Sequence, residues 1–325
     1  MMKSVLLKQF GGREQLYIGD QPIPSPTKDQ VLVKVTAAAL NRADILQREG
    51  KYPPPKGESE ILGLEIAGEI VALGANVQNH ALGSNVFGIL PGGGYSQYAI
   101  IHKDMALPIP KHLSFEEAAA IPEAFLTAYQ SLLWHANTTA QDKVLIHAGG
   151  SGVGTAAIQL VKKIGATCII TASSSKHNTC YDLGADYCID YNSKNFQEVI
   201  ATKYNSVDVI IDFLGASYFT KNISCLARDG RMVMLALLGG TKVEDMNIAP
   251  ILFNRLNIIG STLRSRNLDY QIKLTKEFWS FSEKYFRTGE LKPIIDKTFR
   301  LEEVKDAHRY MEENKNIGKI VLTIN

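Results

Sequence analysis

The segment VLIHAGGSGVGTAAIQLVKKIGA (144–166) constrains the fold more than any other stretch of this chain. An apolar, strand-like run enters a glycine-rich turn, and the turn leads directly into a helix-prone stretch. Gly152-Val153-Gly154 followed by Ala157 satisfies the pattern G-x-G-x-x-A. Small residues at those positions let the backbone bend sharply and approach a pyrophosphate, while the helix N-terminus offers free N–H groups and a positive dipole end. The strand–turn–helix context gives the motif its weight, because a glycine-rich turn alone can be merely a turn. The expectation is a dinucleotide cradle inside a βαβ unit.

The surrounding rhythm agrees. Strands are predicted at KVLIHA (143–148), TCIITA (167–172), DYCID (186–190), DVIIDFLG (208–215), RMVMLALLGG (231–240) and NIIGS (257–261). Helices are predicted through Ala156–Ile164 and up to Gly184. Apolar strands alternating with helices mark a parallel sheet covered on both faces. The end of the second strand bears on which dinucleotide is bound, since a carboxylate there would accept hydrogen bonds from a ribose 2′-OH. Here the chain reads Thr171-Ala172-Ser173-Ser174-Ser175-Lys176, hydroxyls and a lysine with no acid, which favours a 2′-phosphate and hence NADPH. One of these serines is also expected to cap the next helix.

The first 120 residues differ in texture. Short β-prone runs at 31–40, 64–74, 84–90 and 95–101 are separated by PIPSP (22–26), PPPKG (53–57) and LPGGG (90–94), the pattern of a barrel-like β domain. Ser114 and Glu117 form a capping box that opens a helix, Pro122 interrupts it, and a second helix runs through 125–133. The tail ends in an amphipathic helix (302–313) and a strand (319–324).

A β domain ahead of such a sheet raises zinc-dependent alcohol dehydrogenation, which needs Cys and His ligands. Asn41 stands where an early-loop thiolate would be, Leu64 precedes Glu65 where a histidine would be, and the four-cysteine lobe of a structural zinc is missing. Cys168, Cys180, Cys188 and Cys225 are irregularly spaced and make no CxxC pair, so neither a zinc clip nor a disulfide framework is expected. No metal is expected, and alcohol oxidation without a Lewis acid is a poor fit. A net charge of +2 gives no general attraction to nucleic acid or membrane. No apolar run is long enough to span a bilayer, and the opening MMKSVLLKQFGG is expected to enter a strand rather than serve as a secretion signal. A cytoplasmic protein is the expectation.

Taken together, ALNRAD (39–44), ILGLE (61–65), LPGGG (90–94), AAAIPEAFLTAYQ (118–130), VLIHAGGSGVGTAAIQL (144–160), LRSR (263–266) and NKNIGKIVL (314–322) resemble the zinc-free NADPH:quinone oxidoreductases of the medium-chain dehydrogenase/reductase superfamily. They are similar in particular to the tumour-suppressor-inducible quinone oxidoreductase subgroup. The resemblance implies an α/β chain with a GroES-like β-barrel catalytic domain at 1–121, completed by 265–325, and a doubly wound Rossmann domain at 122–264. It also implies a homodimer and a quinone or other electron-poor acceptor. Carried over by position, it puts Asn41 and Tyr52 at the nicotinamide and acceptor, with Asp44 and Gln47 nearby. Gly152, Val153 and Gly154 would line the pyrophosphate; Ser173, Lys176 and Tyr191 would surround the 2′-phosphate. Leu214, Leu237, Arg264, Ser265, Asn316 and Lys319 would complete the cofactor contacts.

Each residue also has a plainer reading. Asn41 could cap the helix that follows it, and Tyr52 could be a surface aromatic in a rigid loop. Asp44 reads as a structural hydrogen-bonding partner, and His147 as a core histidine. Glu65, on an apolar strand, needs a partner, for which Arg42 and Lys51 are the candidates. At least one of Arg264 and Arg266 is expected to be a solvated charge. Two other functions stay open: a zinc-free enone or enoyl-thioester reductase, and a non-enzymatic NADPH-binding sensor or crystallin-like protein.

Overall fold

The computed structural model of the chain describes all 325 residues. They divide into two compact units, Thr127–Leu263 and a second made of Met1–Leu126 with Arg264–Asn325.

In Thr127–Leu263, six parallel strands lie in the order Tyr187–Asp190, Thr167–Ala172, Lys143–Ile146, Val207–Asp212, Leu226–Met234, Asn257–Gly260. Counted along the chain this order is 3-2-1-4-5-6, the doubly wound Rossmann topology. The winding reverses between Lys143–Ile146 and Val207–Asp212. Val144, Leu145, Ile146, Ile169, Ile170, Ile210 and Ile211 are fully buried. A sheet covered on both faces has no solvent side, so its strands read as apolar runs rather than as alternation. The helix expected from Ala156 begins already at Gly152, because Ser151 caps it: its hydroxyl accepts the Gly154 N–H at 3.0 Å. The fifth strand stops at Met234, short of the run predicted to Gly240.

In the other unit, a mixed sheet runs Ile295–Arg300, Lys319–Thr323, Gln30–Ala39, Glu65–Leu73, Asn85–Ile89, Leu107–Pro108, with Tyr98–His102 also paired to Gln30–Ala39. Met2–Leu7 and Leu16–Gln21 form a separate hairpin. The capping box at Ser114 is formed in both directions, with Glu117 N–H to Ser114 Oγ at 3.1 Å and Ser114 N–H to Glu117 Oε2 at 2.8 Å. Pro122 opens the next helix, Pro122–Tyr129. Between Arg266 and Glu302, where no element is predicted, the chain forms its longest helix, the 20-residue Leu268–Arg287. That helix buries Leu274, Thr275, Phe278, Ser282 and Phe286, and Phe286 meets the Phe125 ring edge-on at 5.1 Å.

Candidate active site

The register of the mixed sheet builds the centre of the site. Val321 pairs with Ala39 in an antiparallel ladder, which carries Lys319 alongside Asn41. On the other side Ala38 pairs with Ile66, bringing Glu65 to the same end. There the Lys319 ammonium meets Glu65 Oε1 at 2.6 Å, Asn41 Oδ1 at 2.7 Å and the Leu40 carbonyl at 2.8 Å. The Asn41 amide in turn donates to Glu65 Oε1 at 2.9 Å. Glu65 is fully buried and Lys319 is 4% exposed, so the pair is sealed. The partner of Glu65 is therefore Lys319 rather than Arg42 or Lys51. Arg42 binds the Met311 carbonyl and Asn314 instead, and Lys51 bridges to Glu49. Lys319 directs its ammonium inward to three oxygens, and both ends of the Asn41 amide have partners within the protein.

Asn41 occupies the N-cap position of Arg42–Arg48, yet the cap is closed by Asp44, whose carboxylate accepts the Asn41 backbone N–H at 2.7 Å. Asp44 also accepts the Tyr95 hydroxyl at 2.9 Å and the Gly63 N–H at 3.2 Å. Gly63 sits at φ +100°, and a Cβ there would lie 2.6 Å from the Tyr95 backbone nitrogen, so glycine is required for this approach. Burial outweighs these donors and pushes the Asp44 carboxyl up to about 6. Gln47 is buried and donates to the Glu60 carbonyl at 2.9 Å. Asp44 and Gln47 are thus both buried and held by bonds within this unit.

Near Asp44 stand Arg264, Tyr52 and Glu123. Arg264 is 6% exposed and donates from Nε to the Pro91 carbonyl at 2.7 Å, its guanidinium 5.5 Å from the centre of the Tyr52 ring. Its Nη2 is buried with no acceptor. Arg266 is partly exposed and lies over the Tyr270 ring at 4.7 Å. Glu123, at the start of Pro122–Tyr129, gives its backbone N–H to Glu65 Oε2 at 2.8 Å. Its own Oε2 is buried without a donor. Burial, then the neighbouring Glu65 carboxylate, push the Glu123 carboxyl up to about 8, against Lys319 and Arg264. The sequence reading assigns Glu123 no role, although a lone acid in the apolar run AAAIPEAFL is itself the signal of a group in need of a partner.

The remaining predicted residues of the parallel-sheet unit gather at the C-terminal ends of its strands, where ligands of this topology bind. Gly152–Gly154 follow the first strand, Ser173 and Lys176 the second, Tyr191 the third, Leu214 the fourth and Leu237 the fifth. A Cβ on Gly154 would lie 2.4 Å from the Ala148 carbonyl, so the turn closes only on glycine. The Lys176 chain lies against Gly150, where an added Cβ would come within 2.6 Å of its Cδ. The cradle and the basic residue are thereby adjacent, and these residues fit a dinucleotide. His147 is a core residue, bonded to Thr171 at 3.0 Å and Asn222 at 2.8 Å. In the other unit, Ser265 is exposed and Asn316 donates to the Gly318 carbonyl at 2.7 Å. Two surface concavities, of about 320 and 360 Å³, touch none of these residues.

Zinc does not fit the donors present. Asn41 and Glu65 already enclose an ammonium, all four cysteines are buried in Thr127–Leu263, and nowhere do three His, Cys, Asp or Glu side chains converge for a metal. No helix is long and apolar enough to cross a membrane.

Comparison with known proteins places this geometry. Residues 27–111 match the alcohol dehydrogenase GroES-like domain, and residues 152–279 match a family described as zinc-binding dehydrogenase. The synaptic vesicle membrane protein VAT-1 homolog of Rattus norvegicus is 31% identical over 99% of this chain and 84% of its own length. The quinone oxidoreductase from Coxiella burnetii superposes with a TM-score of 0.84 at 32% identity, covering 100% of this chain and 99% of that one. CurK enoyl reductase does so with a TM-score of 0.88 at 27% identity over 100% and 99%. The chain belongs to the medium-chain dehydrogenase/reductase superfamily, whose members are NAD(P)-binding oxidoreductases.

Proposed function

We propose that the protein is an NADPH-dependent quinone oxidoreductase that works without a metal. The observation that carries the reading is the buried ammonium of Lys319 between Asn41 and Glu65, which engages both side chains and so supports a reaction that needs no Lewis acid. A quinone needs none, because it accepts reducing equivalents readily. The run Ser173–Lys176, without a carboxylate, supports a 2′-phosphate on the cofactor.

When bound, NADPH supplies a hydride. The amides of Gly152–Gly154 at the helix N-terminus hold the pyrophosphate. Ser173, Lys176 and Tyr191 hold the 2′-phosphate, and Leu214 and Leu237 border the nucleotide. Ser265 and Asn316 are assigned to the same cofactor. In the other unit, the Tyr52 hydroxyl and the unsatisfied Arg264 Nη2 are the donors offered to an acceptor carbonyl. Asn41 positions through its bonds to Glu65 and Lys319 rather than by contact, with Asp44 and Gln47 assigned nearby. The same residues would serve an enone, and the likeness to CurK enoyl reductase makes that the second reading. An NADPH-oxidation panel of ortho-quinones, para-quinones, enones and enoyl thioesters separates the two. The highest kcat/KM is expected with a quinone; a clear preference for an enoyl thioester would replace the first reading by the second.

A further inference from the structure

Glu123 is the one acid in this cluster whose carboxyl the protein does not satisfy. Asp44 has three donors, and Glu65 has Lys319, Asn41 and the Glu123 N–H. Glu123 Oε2 is sealed from water and meets no donor, which is rare for a buried oxygen and marks a place where a proton or a ligand belongs. The charges facing it are Glu65 and Lys319, on strands either side of Gln30–Ala39, Asp44 on the short helix, and Arg264. Burial, with Glu123 next, holds the Tyr52 hydroxyl above its ordinary range, against Arg264. Of the neighbouring Glu65 and Glu123 carboxylates, Lys319 pairs only with Glu65. The unpaired one carries the proton, as in other acid pairs whose members take different roles.

We propose that Glu123 is the acid that protonates the reduced acceptor, an assignment that rests on the quinone-reductase reading. With NADPH as the two-electron donor, oxidised to NADP⁺, hydride addition to one quinone oxygen would leave the other oxygen a phenolate. The O–H bond of Glu123 breaks, a new O–H forms on the phenolate, and hydroquinone leaves. The Glu123 carboxylate then takes a proton from solvent water. Tyr52 and Arg264 would hold the oxygens while the proton moves.

Two measurements on the full chain test this. Infrared difference spectra between about pH 6 and about pH 10 should show, beside the Asp44 band near 6 that both proteins share, a protonated-carboxyl band that titrates near 8 in the wild type and is absent in Glu123→Gln. With a quinone and saturating NADPH, Glu123→Gln should lose about 10²- to 10⁴-fold in kcat, the usual range for a general acid. NADPH affinity and Tm should be unchanged, and Glu123→Asp should recover part of the rate. Wild-type kcat should fall above about pH 8, and that limb should vanish in the variant. Wild-type turnover and pH profile in Glu123→Gln, or the band near 8 in both proteins, would overturn the proposal and leave the quinone reading intact. No quinone turnover by the wild type would overturn both.

Discussion

At the residue scale, this site is governed by which charges are enclosed with partners and which without. Lys319 and Glu65 are enclosed together, so removing one leaves the other uncompensated. Lys319→Ala should destabilise the protein by about 3–5 kcal/mol, read by denaturant unfolding. The double variant Lys319→Met/Glu65→Leu should recover much of that loss, since replacing both charges with apolar groups is far less costly. Asp44 shows the same physics through pH. Its folded carboxyl titrates at about 6 instead of 3.8, so the native state binds the proton more tightly than the unfolded chain. The contribution of this carboxyl to stability is therefore fully present below about pH 4 and is lost as pH rises through about 6, by at most ~3 kcal/mol. Asp44→Asn should remove this dependence: unfolding free energies of the two proteins should converge or cross over that window and run parallel above it. Lys176→Ala should weaken NADPH by about 10- to 150-fold, the equivalent of a charge-assisted bond of about 1.5–3 kcal/mol, and leave NADH unchanged. Equal loss with both dinucleotides would remove Lys176 from the 2′-phosphate. Much of this scale is visible in the sequence: Asp44 as a structural acceptor and His147 as a core residue are read there correctly. The partner of Glu65 is not, because Lys319 lies 254 residues away and only the strand register brings it near.

At the element scale, local signals that satisfy backbone groups carried the most information. The capping box at Ser114 and the strand–turn–helix at 144–166 both form as their residues suggest. Gly154→Ala should be destabilising, because its Cβ would lie 2.4 Å from a backbone oxygen that cannot yield. Dinucleotide binding should suffer with it, measured by titration of the folded variant. The helix Leu268–Arg287 was hidden for a physical reason. Its first residues, LDYQIKL, alternate apolar and polar with the period of a strand, and only the later Phe278, Ser282 and Phe286 show the helical repeat. Tertiary packing of that later face decides the conformation of the whole segment.

At the scale of the whole molecule, the fold class follows from composition, rhythm and one glycine-rich turn, and the family comparison agrees with it. A homodimer remains our proposal. The strand Asn257–Gly260 has an open edge, and close to it in sequence Ile248, Leu252 and Phe253 are 68%, 74% and 71% exposed. Light scattering should give twice 35.8 kDa, and Phe253→Lys with Leu252→Lys should shift it toward the monomer. The most direct test of the functional reading is anaerobic NADPH oxidation with a para-quinone, with hydroquinone quantified, before and after treatment with a metal chelator. One hydroquinone per NADPH at an unchanged rate, with NADH at least about ten-fold poorer in kcat/KM, is the expected result; no quinone-dependent oxidation, or activity lost with the chelator, would contradict it.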